Sequence, residues 1–259
     1  MSYFFAKNNR KKTTTHQQSL IFGSRAVMET ILAGRTIEKI FLQRALKTPL
    51  AKELYDLICK YEIPFSYVPT EKLSRLSHGN HQGVVAIISP IAFAPLEVII
   101  QNTFEKGKIP LILILDGVTD VHNLGAIART ALCMGVDALV IPSHRSASVS
   151  GAAMKTSAGA LSMLPVCRVA SLKVALQYLQ ESGLAIFACH EKASQELYTS
   201  DLRLPAAIIL GGEDSGIAVE HLNLATYQIK IPIRGPIASL NVSVATGMIL
   251  YEVLRQRLL

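Results

Sequence analysis

The chain has 259 residues, of which 50% are hydrophobic and 17% are charged, and its mean hydropathy is +0.33. This composition excludes a disordered or fibrous chain and supplies enough apolar side chains for one large domain or two smaller ones. The longest apolar run, residues 111–115, is far too short to span a bilayer, so no membrane association is expected. The four cysteines form no CxxC pair and the N-terminus has no apolar signal-peptide core, so we expect a cytoplasmic protein without a zinc site or disulfide framework.

The net charge of +7 is unevenly distributed along the chain. Residues 1–110 hold 15 Lys and Arg against 8 Asp and Glu, whereas residues 111–259 hold 11 of each. A basic excess confined to one segment favours a polyanionic partner, with nucleic acid as the first candidate, although a solvated basic surface is an equally good explanation. Residues 1–18, which contain Lys7, Arg10, Lys11 and Lys12, are expected to form a flexible basic tail.

Residues 19–90 are predicted to form a small α/β domain. Helix and strand patterns alternate there, and the first helix is expected to begin on a capping Ser24. Pro90, Pro95 and Pro110 mark residues 91–109, with a short helical stretch, as the connection to a second domain. The predicted helices are about 24–34 and 49–61, and the predicted strands are 38–43, 65–68 and 84–89.

Residues 110–259 are predicted to form a larger α/β domain. Short apolar runs alternate with helical stretches, which predicts a mostly parallel sheet covered by helices on both faces. Ligands of such sheets bind outside the carboxyl ends of the strands, where the unusual polar residues of this chain cluster. The predicted strands are 111–116, 138–142, 185–189, 207–211 and 227–232, and the predicted helices are about 123–135, 148–159, 171–182 and 217–223, followed by an amphipathic closing helix at about 241–258.

The first polar loop, residues 116–131, follows a predicted strand and contains Asn123, Gly125 and Arg129. If a helix begins near Asn123, its free N–H groups face the strand end and favour an anion. Arg129 interrupts an otherwise apolar run, which favours a functional role in this cleft or toward a neighbouring subunit. The alternative is that Asn123 only caps the helix and Arg129 is a surface charge.

The second polar loop, residues 209–217, contains Gly211 and Gly212 followed by Glu213. Paired glycines let a ligand approach the backbone closely, although a tight strand-to-helix turn with Glu213 near the helix start explains them equally well. The chain has neither G-x-G-x-x-G nor a Walker A motif, so a dinucleotide or triphosphate site has no support.

The third polar loop precedes the last helix, within residues 231–257. Ser239, Asn241 and Ser243 lie at the expected helix start, where capping requires only one of them. Ser239 lies in no G-x-S-x-G elbow and is not a convincing hydrolase nucleophile, with His122 and His144 as the only conceivable partners.

In order and spacing, these three loops resemble the signature motifs of the SpoU-TrmH RNA ribose 2′-O-methyltransferases. The segments that carry the resemblance are DGVTDVHNLGAIARTA, ILGGEDSGI and IPIRGPIASLNVSVATGMILYEVLRQR. GSRAVMETILAGRTIEKIFL (23–42) and HQGVVAII (81–88) resemble the substrate-binding domain of the 23S rRNA guanosine 2′-O-methyltransferase branch. The resemblance covers about residues 20–258, and three ordered motifs together are highly specific.

The resemblance implies a fold, a cofactor and partners. The fold would be an α/β SPOUT-type parallel sheet with a C-terminal trefoil knot, preceded by a small α/β (L30e/L7Ae-like) domain that binds RNA, with His78, Asn80, His81 and Gln82 as candidate contacts. The cofactor would be S-adenosylmethionine, and the chain would form a homodimer through its closing helix. The RNA would be 23S rRNA, with tRNA as the alternative; a non-catalytic RNA-binding or ribosome-assembly protein of the same fold is the third possibility.

The resemblance also assigns site residues and no metal. A family role in activating the ribose hydroxyl falls on Arg129, but a guanidinium stays protonated, so we expect Arg129 to stabilise the developing alkoxide or bind an adjacent phosphate. Glu213 would orient the site or accept the proton, and the polar side chains would hold the loops and ribose. Asp214 replaces a glycine common in the family and, if a positive φ is required there, tolerates it better than most residues. The catalytic candidates are Asn123, Arg129, Glu213, Ser239 and Asn241, and the cofactor-binding candidates are Leu210, Gly211, Gly216, Ile231, Pro232 and Leu240.

Overall fold

The computed structural model describes residues 20–44, 48–77, 79–237 and 239–258. The predicted basic tail, residues 1–18, and the candidate RNA contact His78 lie outside these residues. We call residues 20–90 the N-terminal domain and residues 110–258 the C-terminal domain.

The N-terminal domain contains a four-stranded sheet with the strand order β1-β4-β2-β3. The β2–β3 pair is parallel and the other two pairs are antiparallel. Val27 of the first helix and Leu54 and Ile58 of the second pack on Ile40 of β2 to form the main core of the domain. The strands are β1 (Leu20–Phe22), β2 (Ile37–Gln43), β3 (Phe65–Val68) and β4 (Val84–Ile88), and the helices are α1 (Ser24–Leu32), α2 (Pro49–Lys60) and α3 (Thr70–Leu76).

Two details of this domain differ from the prediction. Strand β1 and helix α3 were not predicted, because both are short and lack a clear apolar period. Ser24 does not cap α1: Gly23, with φ 89°, occupies the capping position, and Ser24 is the buried first residue of the helix.

The connection between the domains carries helix α4 (Leu96–Glu105). Leu96 and Ile100 of this helix are buried against Ile112 and Ile114 of the C-terminal domain. Helix α4 therefore covers one face of the larger sheet.

Seven strands of the described C-terminal domain form a sheet in which every pair is parallel, as predicted. The strand order is β7-β6-β5-β10-β8-β11-β9. The strands are β5 (Leu111–Asp116), β6 (Ala138–Pro142), β7 (Val166–Val169), β8 (Ala185–Cys189), β9 (Gln195–Glu196), β10 (Ala206–Gly211) and β11 (Tyr227–Lys230).

Helices cover both faces of this sheet. The alternation along β5 sends Leu113 toward a cluster with Leu124 and Ile249 and sends Ile112 toward a cluster with Leu176. Parallel strands buried on both faces explain the uninterrupted apolar runs in the sequence. The helices are α5 (Val121–Cys133), α6 (Gly151–Thr156), α7 (Leu172–Glu181), α8 (Val219–Leu224) and α9 (Val242–Leu258).

Two helices differ from their predictions. Helix α5 begins at Val121 and is capped by Asp120, whose carboxylate accepts from the backbone N–H of His122 and Asn123, so Asn123 is not the cap. Helix α9 is not simply amphipathic: it buries Ile249 and Leu250 but also exposes apolar side chains on its outer side.

The trefoil knot implied by the resemblance concerns how one loop passes through another, and it stays a prediction. The strand order is compatible with the location of the predicted knot, because β10 and β11, which precede the second and third motif loops, both neighbour β8.

A buried ion pair joins the two domains. Arg168 of β7 contacts Glu38 of β2 at 2.7 Å, and the second carboxylate oxygen of Glu38 accepts from the N–H of Val149 at 3.0 Å.

Among the described residues, no helix combines the length and the apolar character that crossing a bilayer requires.

Candidate functional site

The three polar loops meet at the carboxyl edge of the larger sheet. The first follows β5, the second follows β10, and the third follows β11 and leads into α9. Residues Asp116 and Gly211 are paired at the ends of β5 and β10, which brings the first two loops side by side. The predicted clustering of polar residues at this edge is therefore correct.

One candidate side chain from each loop takes part in a closed hydrogen-bond network. Asn123 Nδ2 donates to Glu213 Oε1 at 3.2 Å, and Asn241 Nδ2 donates to the same oxygen at 2.5 Å. Asn241 Nδ2 also lies 3.1 Å from Asn123 Oδ1. Two amide groups thus hold one carboxylate, although 90 residues separate Asn123 from Glu213.

The orientation of the Asn241 amide follows from its second role. Its Oδ1 accepts from the backbone N–H of Ser243 at 2.9 Å and from the Ser243 hydroxyl, so Asn241 is the residue that caps α9. Because the oxygen faces the helix, the NH2 group must face Glu213. Of the polar residues at this helix start, Asn241 caps the helix and Ser243 donates to the Asn241 side chain. Asn241 also donates to Glu213 through its NH2 group.

The second loop is a tight turn made possible by glycines. A Cβ at Gly211 would overlap the backbone of Gly216 and Ile217, and a Cβ at Gly212 would overlap the carbonyl of Gly117. Gly216 has φ 61° and its N–H donates to the carbonyl of Gly212 at 2.8 Å. Asp214 does not have a positive φ, so the possible requirement considered for that position does not arise.

A cavity of about 430 Å³ lies between the second and third loops and the end of β8. Its apolar lining includes Leu240, which is 38% exposed, and its charged lining includes Glu191, Glu213 and Asp214. Pro232 lines a neighbouring cavity instead. The cofactor candidates that line the cavity are Leu210, Gly211, Gly216, Ile231 and Leu240.

Ser239 and Arg129 stand apart from the network. Ser239 lines the 430 Å³ cavity but forms no hydrogen bond among the described residues. Arg129 is exposed on α5, and at 100° per residue it points about 120° away from Asn123 around the helix axis. The structure of one chain therefore does not bring Arg129 to the other candidates.

The histidines considered as partners of Ser239 have other positions. The Nδ1 atom of His122 lies 3.1 Å from the hydroxyl oxygen of Thr156, and His144 is an exposed loop residue. A third histidine, His221, is buried and contacts Asp116 at 2.7 Å, which ties α8 to the end of β5. The described residues contain no group of three or more His, Cys, Asp or Glu placed to hold a metal ion.

Two sets of residues at this edge were not predicted from the sequence. His190, Glu191 and Lys192 follow β8 and line the 430 Å³ cavity. Arg145 follows β6 and lines a second cavity of about 230 Å³ together with Asn123 and Glu213. Both sets follow carboxyl ends of predicted parallel strands, a signal that could have identified them.

Burial strongly affects one thiol at the site. Cys189, which lines the 430 Å³ cavity, has its pKa raised to about 12, chiefly because burial disfavours the thiolate. At neutral pH this side chain is a neutral apolar part of the wall and not a nucleophile.

The fold and this site are those of a parallel α/β enzyme domain preceded by a separate small domain, and family models match both parts. The SpoU rRNA Methylase family model matches residues 110–251, and the model for RNA 2'-O ribose methyltransferase substrate binding matches residues 20–94. The chain belongs to the SpoU rRNA Methylase family.

Known relatives and structures agree with this assignment. YacO of Bacillus subtilis, named for the TrmH family of tRNA/rRNA methyltransferases, is 34% identical over 94% of this chain and 98% of its own length. The SpoU methyltransferase AviRb from Streptomyces viridochromogenes, solved with its cofactor AdoMet, has the same fold, with a TM-score of 0.57, 24% identity and coverage of 97% of this chain and 95% of AviRb. The A. aeolicus TrmH/SpoU tRNA modifying enzyme is 29% identical, with a TM-score of 0.54, and covers 61% of this chain and 84% of its own.

Proposed function

We propose that this protein transfers a methyl group from S-adenosylmethionine to a ribose 2′-hydroxyl in structured RNA, at a guanosine of 23S rRNA. The observation that carries the proposal is the network in which Asn123 and Asn241 hold the carboxylate of Glu213, because it unites one residue from each motif loop beside a cavity.

The 430 Å³ cavity suits S-adenosylmethionine. Exposed apolar side chains such as Leu240 and Ile233 would be covered by an adenine, and the glycine turn leaves backbone accessible beside it. Glu191, Glu213 and Asp214 place negative charge around the cavity, which favours the positively charged sulfonium and ammonium groups. We assign the cofactor to Leu210, Gly211, Gly216, Ile231 and Leu240, which line the cavity, and Pro232 lines the neighbouring cavity next to Ile231.

The chain's own residues position the hydroxyl and manage its proton. S-adenosylmethionine supplies an electrophilic methyl group, so the reaction forms an oxygen–carbon bond and breaks a carbon–sulfur bond. The carboxylate of Glu213 is held at one oxygen by two amide donors and leaves its other oxygen to orient or deprotonate the 2′-hydroxyl. Ser239 lies in the cavity wall, where its hydroxyl can bind the ribose.

We assign Arg129 to the site of a second protomer in a homodimer. Val244, Met248 and Tyr251 lie on one side of α9 and are 53%, 45% and 60% exposed, an apolar stripe suited to a second copy. Helix α5 packs beside this stripe, because Gly247 faces Thr130, the neighbour of Arg129. A partner covering the stripe would meet Arg129, whose guanidinium would stabilise the developing alkoxide.

Ribosomal RNA is favoured over tRNA by the N-terminal domain. The tRNA modifying enzyme described above covers 61% of this chain, whereas the chain described here adds a basic domain that matches a substrate-binding model. Residues 20–90 hold 9 Lys and Arg against 6 Asp and Glu, and residues 1–18 add 4 Lys and Arg with no acid, which supports phosphate binding by this part of the chain. In the loop 79–83, Asn80 and Gln82 are exposed and remain candidate contacts, whereas both ring nitrogens of His81 bond within the domain.

Two measurements test the proposal. The purified protein is incubated with methyl-labelled S-adenosylmethionine and unmodified 23S rRNA or tRNA transcripts, and ribose methylation is mapped at nucleotide resolution in cells with and without the gene. We expect one guanosine of 23S rRNA to lose its 2′-O-methyl group when the gene is absent. A tRNA product would select the alternative substrate, and cofactor binding without transfer to any RNA would support a non-catalytic protein.

A further inference from the structure

We propose that the cleft between the two domains carries the RNA strand to the cavity beside Asn123 and Glu213, and that Lys39, Lys155 and Arg145 bind its phosphates. The inference rests on the proposed function, because it names the route by which the RNA of that reaction reaches the site.

The cleft is large, and polar side chains line part of its walls. It has a volume of about 800 Å³ and lies between β2 and β4 of the N-terminal domain and residues 143–155 of the C-terminal domain. Hydroxyl and ammonium groups are the donors that proteins use for phosphate and sugar oxygens. The polar side chains that line the cleft are Lys39, Ser89, Thr119, Ser143, Ser146, Ser148, Ser150 and Lys155.

The cleft leads directly to the catalytic network. Thr119 lines both the cleft and the 230 Å³ cavity that contains Asn123 and Glu213. That cavity in turn shares Glu213 and the glycine turn with the cavity assigned to the cofactor. A strand lying in the cleft would therefore reach the Glu213 carboxylate through the 230 Å³ cavity.

Arg145 lines the 230 Å³ cavity, where its positive charge would attract a phosphate. Three carboxylates, those of Asp120, Glu213 and Asp214, line the 230 Å³ cavity and would repel an RNA backbone. Arg145 is the only cation among the described residues that line it. Its φ of 55° is a left-handed conformation that non-glycine residues rarely adopt.

The cations of the cleft are available for binding. Lys39 Nζ lies 5.6 Å from the centroid of the Phe41 ring, which also lines the cleft, and Lys72 Nζ lies 5.4 Å from the same centroid. Among the described residues, no ion pair is formed by Lys39, Lys155 or Arg145. The one acidic residue of the cleft, Glu38, is already occupied by Arg168 and the N–H of Val149.

The experiment compares alanine variants of Arg145, Lys155 and Lys39, and the triple variant, with Lys106→Ala as the matched control. Lys106 is an exposed lysine at the end of α4, next to the amino ends of the sheet strands and away from the cleft. Binding to an unmodified 23S rRNA transcript is measured over a range of salt concentrations, and S-adenosylmethionine binding is measured by calorimetry. Each single cleft variant should lose about tenfold in RNA affinity at low salt and reduce the salt slope by about one, with cofactor binding unchanged.

The control should match the wild type in both measurements. Wild-type RNA affinity and salt slope in the triple variant would overturn the route while leaving the proposed function intact, because the wild type would still methylate RNA. A wild type that neither binds RNA nor transfers methyl groups would instead remove the proposed function and the route with it.

A second measurement does not depend on the folding of charge-deleted variants. A photo-crosslinking amino acid is introduced at Ser148 in the cleft or at Lys106 as the control. The route requires crosslinks to RNA from position 148 and none from position 106. Absence of crosslinks from position 148 in a protein that still methylates RNA would overturn it.

Discussion

Arg168 and Glu38 form a buried ion pair across the boundary between the two domains, with their side chains 10% and 9% exposed. Arg168 also donates to the backbone carbonyls of Ile37 and Glu38 at 3.2 and 3.1 Å, and its guanidinium lies 3.6 Å from the centroid of the Phe93 ring. The small domain is thus held by a charged side chain whose hydrogen bonds all end on β2. Glu38 also lines the interdomain cleft, so this contact lies at the cleft wall.

Breaking this pair should be costly. Arg168→Met leaves the Glu38 carboxylate buried and unpaired, and we expect the free energy of unfolding in urea to fall by about 3–5 kcal/mol. The double variant Glu38→Gln with Arg168→Met buries no charge and should be clearly more stable than Arg168→Met alone. Arg203→Met, which breaks an exposed pair with Asp201, should change stability little. Equal stability of the single and double variants would contradict this account.

The loss of folding stability in Arg168→Met should also depend on pH. Burial raises the pKa of Glu38 above its usual value, so the folded protein binds this proton more tightly than the unfolded chain does. The stability that Glu38 contributes is therefore greatest at low pH and is lost as the pH rises through its folded pKa. Without Arg168 that pKa rises further, so the deficit of Arg168→Met should be smaller at acid pH than at pH 7. The double variant should lack this dependence.

The network around Glu213 can be tested with an isosteric change. Asn241→Asp keeps an oxygen acceptor for the N–H of Ser243, so α9 stays capped. It replaces the NH2 donor toward Glu213 with a second negative oxygen. We expect the turnover rate to fall about 10²-fold, as for the loss of one catalytic hydrogen-bond donor, with a smaller fall in thermal stability from the repulsion between the two carboxylates. Asn102→Asp on the exposed surface of α4 is the control; wild-type turnover in Asn241→Asp would exclude the network from the mechanism.

The role of Arg129 across a dimer can be tested by complementation. Arg129→Ala should abolish transfer while leaving cofactor binding largely intact, because Arg129 lines neither the 430 Å³ nor the 230 Å³ cavity. Glu213→Ala should also be inactive. If Arg129 acts on the partner's site, an equal mixture of the two variants forms mixed dimers with one complete site each and regains about a quarter of the wild-type rate. No recovery after subunit exchange would place Arg129 and Glu213 in the same chain's site or remove Arg129 from the reaction.

The reactivity of the four cysteines toward a thiol reagent tests their burial and the proposed dimer interface. Burial raises the pKa of Cys167 and of Cys189 to about 12, so both stay protonated at pH 8 and should resist iodoacetamide. Cys59 is exposed and should react. Cys133, which is exposed one turn after Arg129 on α5, should react on dilution to monomers and be protected at high protein concentration. Mass spectrometry of the labelled peptides measures all four, and equal labelling of Cys133 at both concentrations would argue against an interface on this face.

Local patterns predicted most of the larger sheet. Apolar runs such as residues 111–116 favour strands buried on both faces, and the predicted strands were located to within two residues. Strand β7 was missed because it is four residues long and contains Arg168, whose charge breaks the apolar run. Arg168 forms an ion pair with Glu38 of the other domain, 130 residues away in sequence. A local sequence pattern cannot reveal such a partner.

The choice between Asp120 and Asn123 as the cap of α5 shows a similar limit. Both residue types are good caps, so propensity does not distinguish them. The backbone path after β5 places Asp120 at the helix start, which leaves the amide of Asn123 free to bind Glu213. The position of Arg145 after the carboxyl end of β6 marks it as a candidate, but only the packing of that loop shows that it reaches the Asn123 cavity.

The residues alone established the family, the order of the three motif loops and the chemistry their side chains can perform, because residue types and spacings are written along the chain. The meeting of Asn123, Glu213 and Asn241, the interdomain ion pair and the continuous cleft depend on strand order and domain packing. These contacts join positions 28 to 130 residues apart, a distance over which helical and strand periodicities carry no information. The path of the backbone through space therefore decided which of the candidate side chains come into contact.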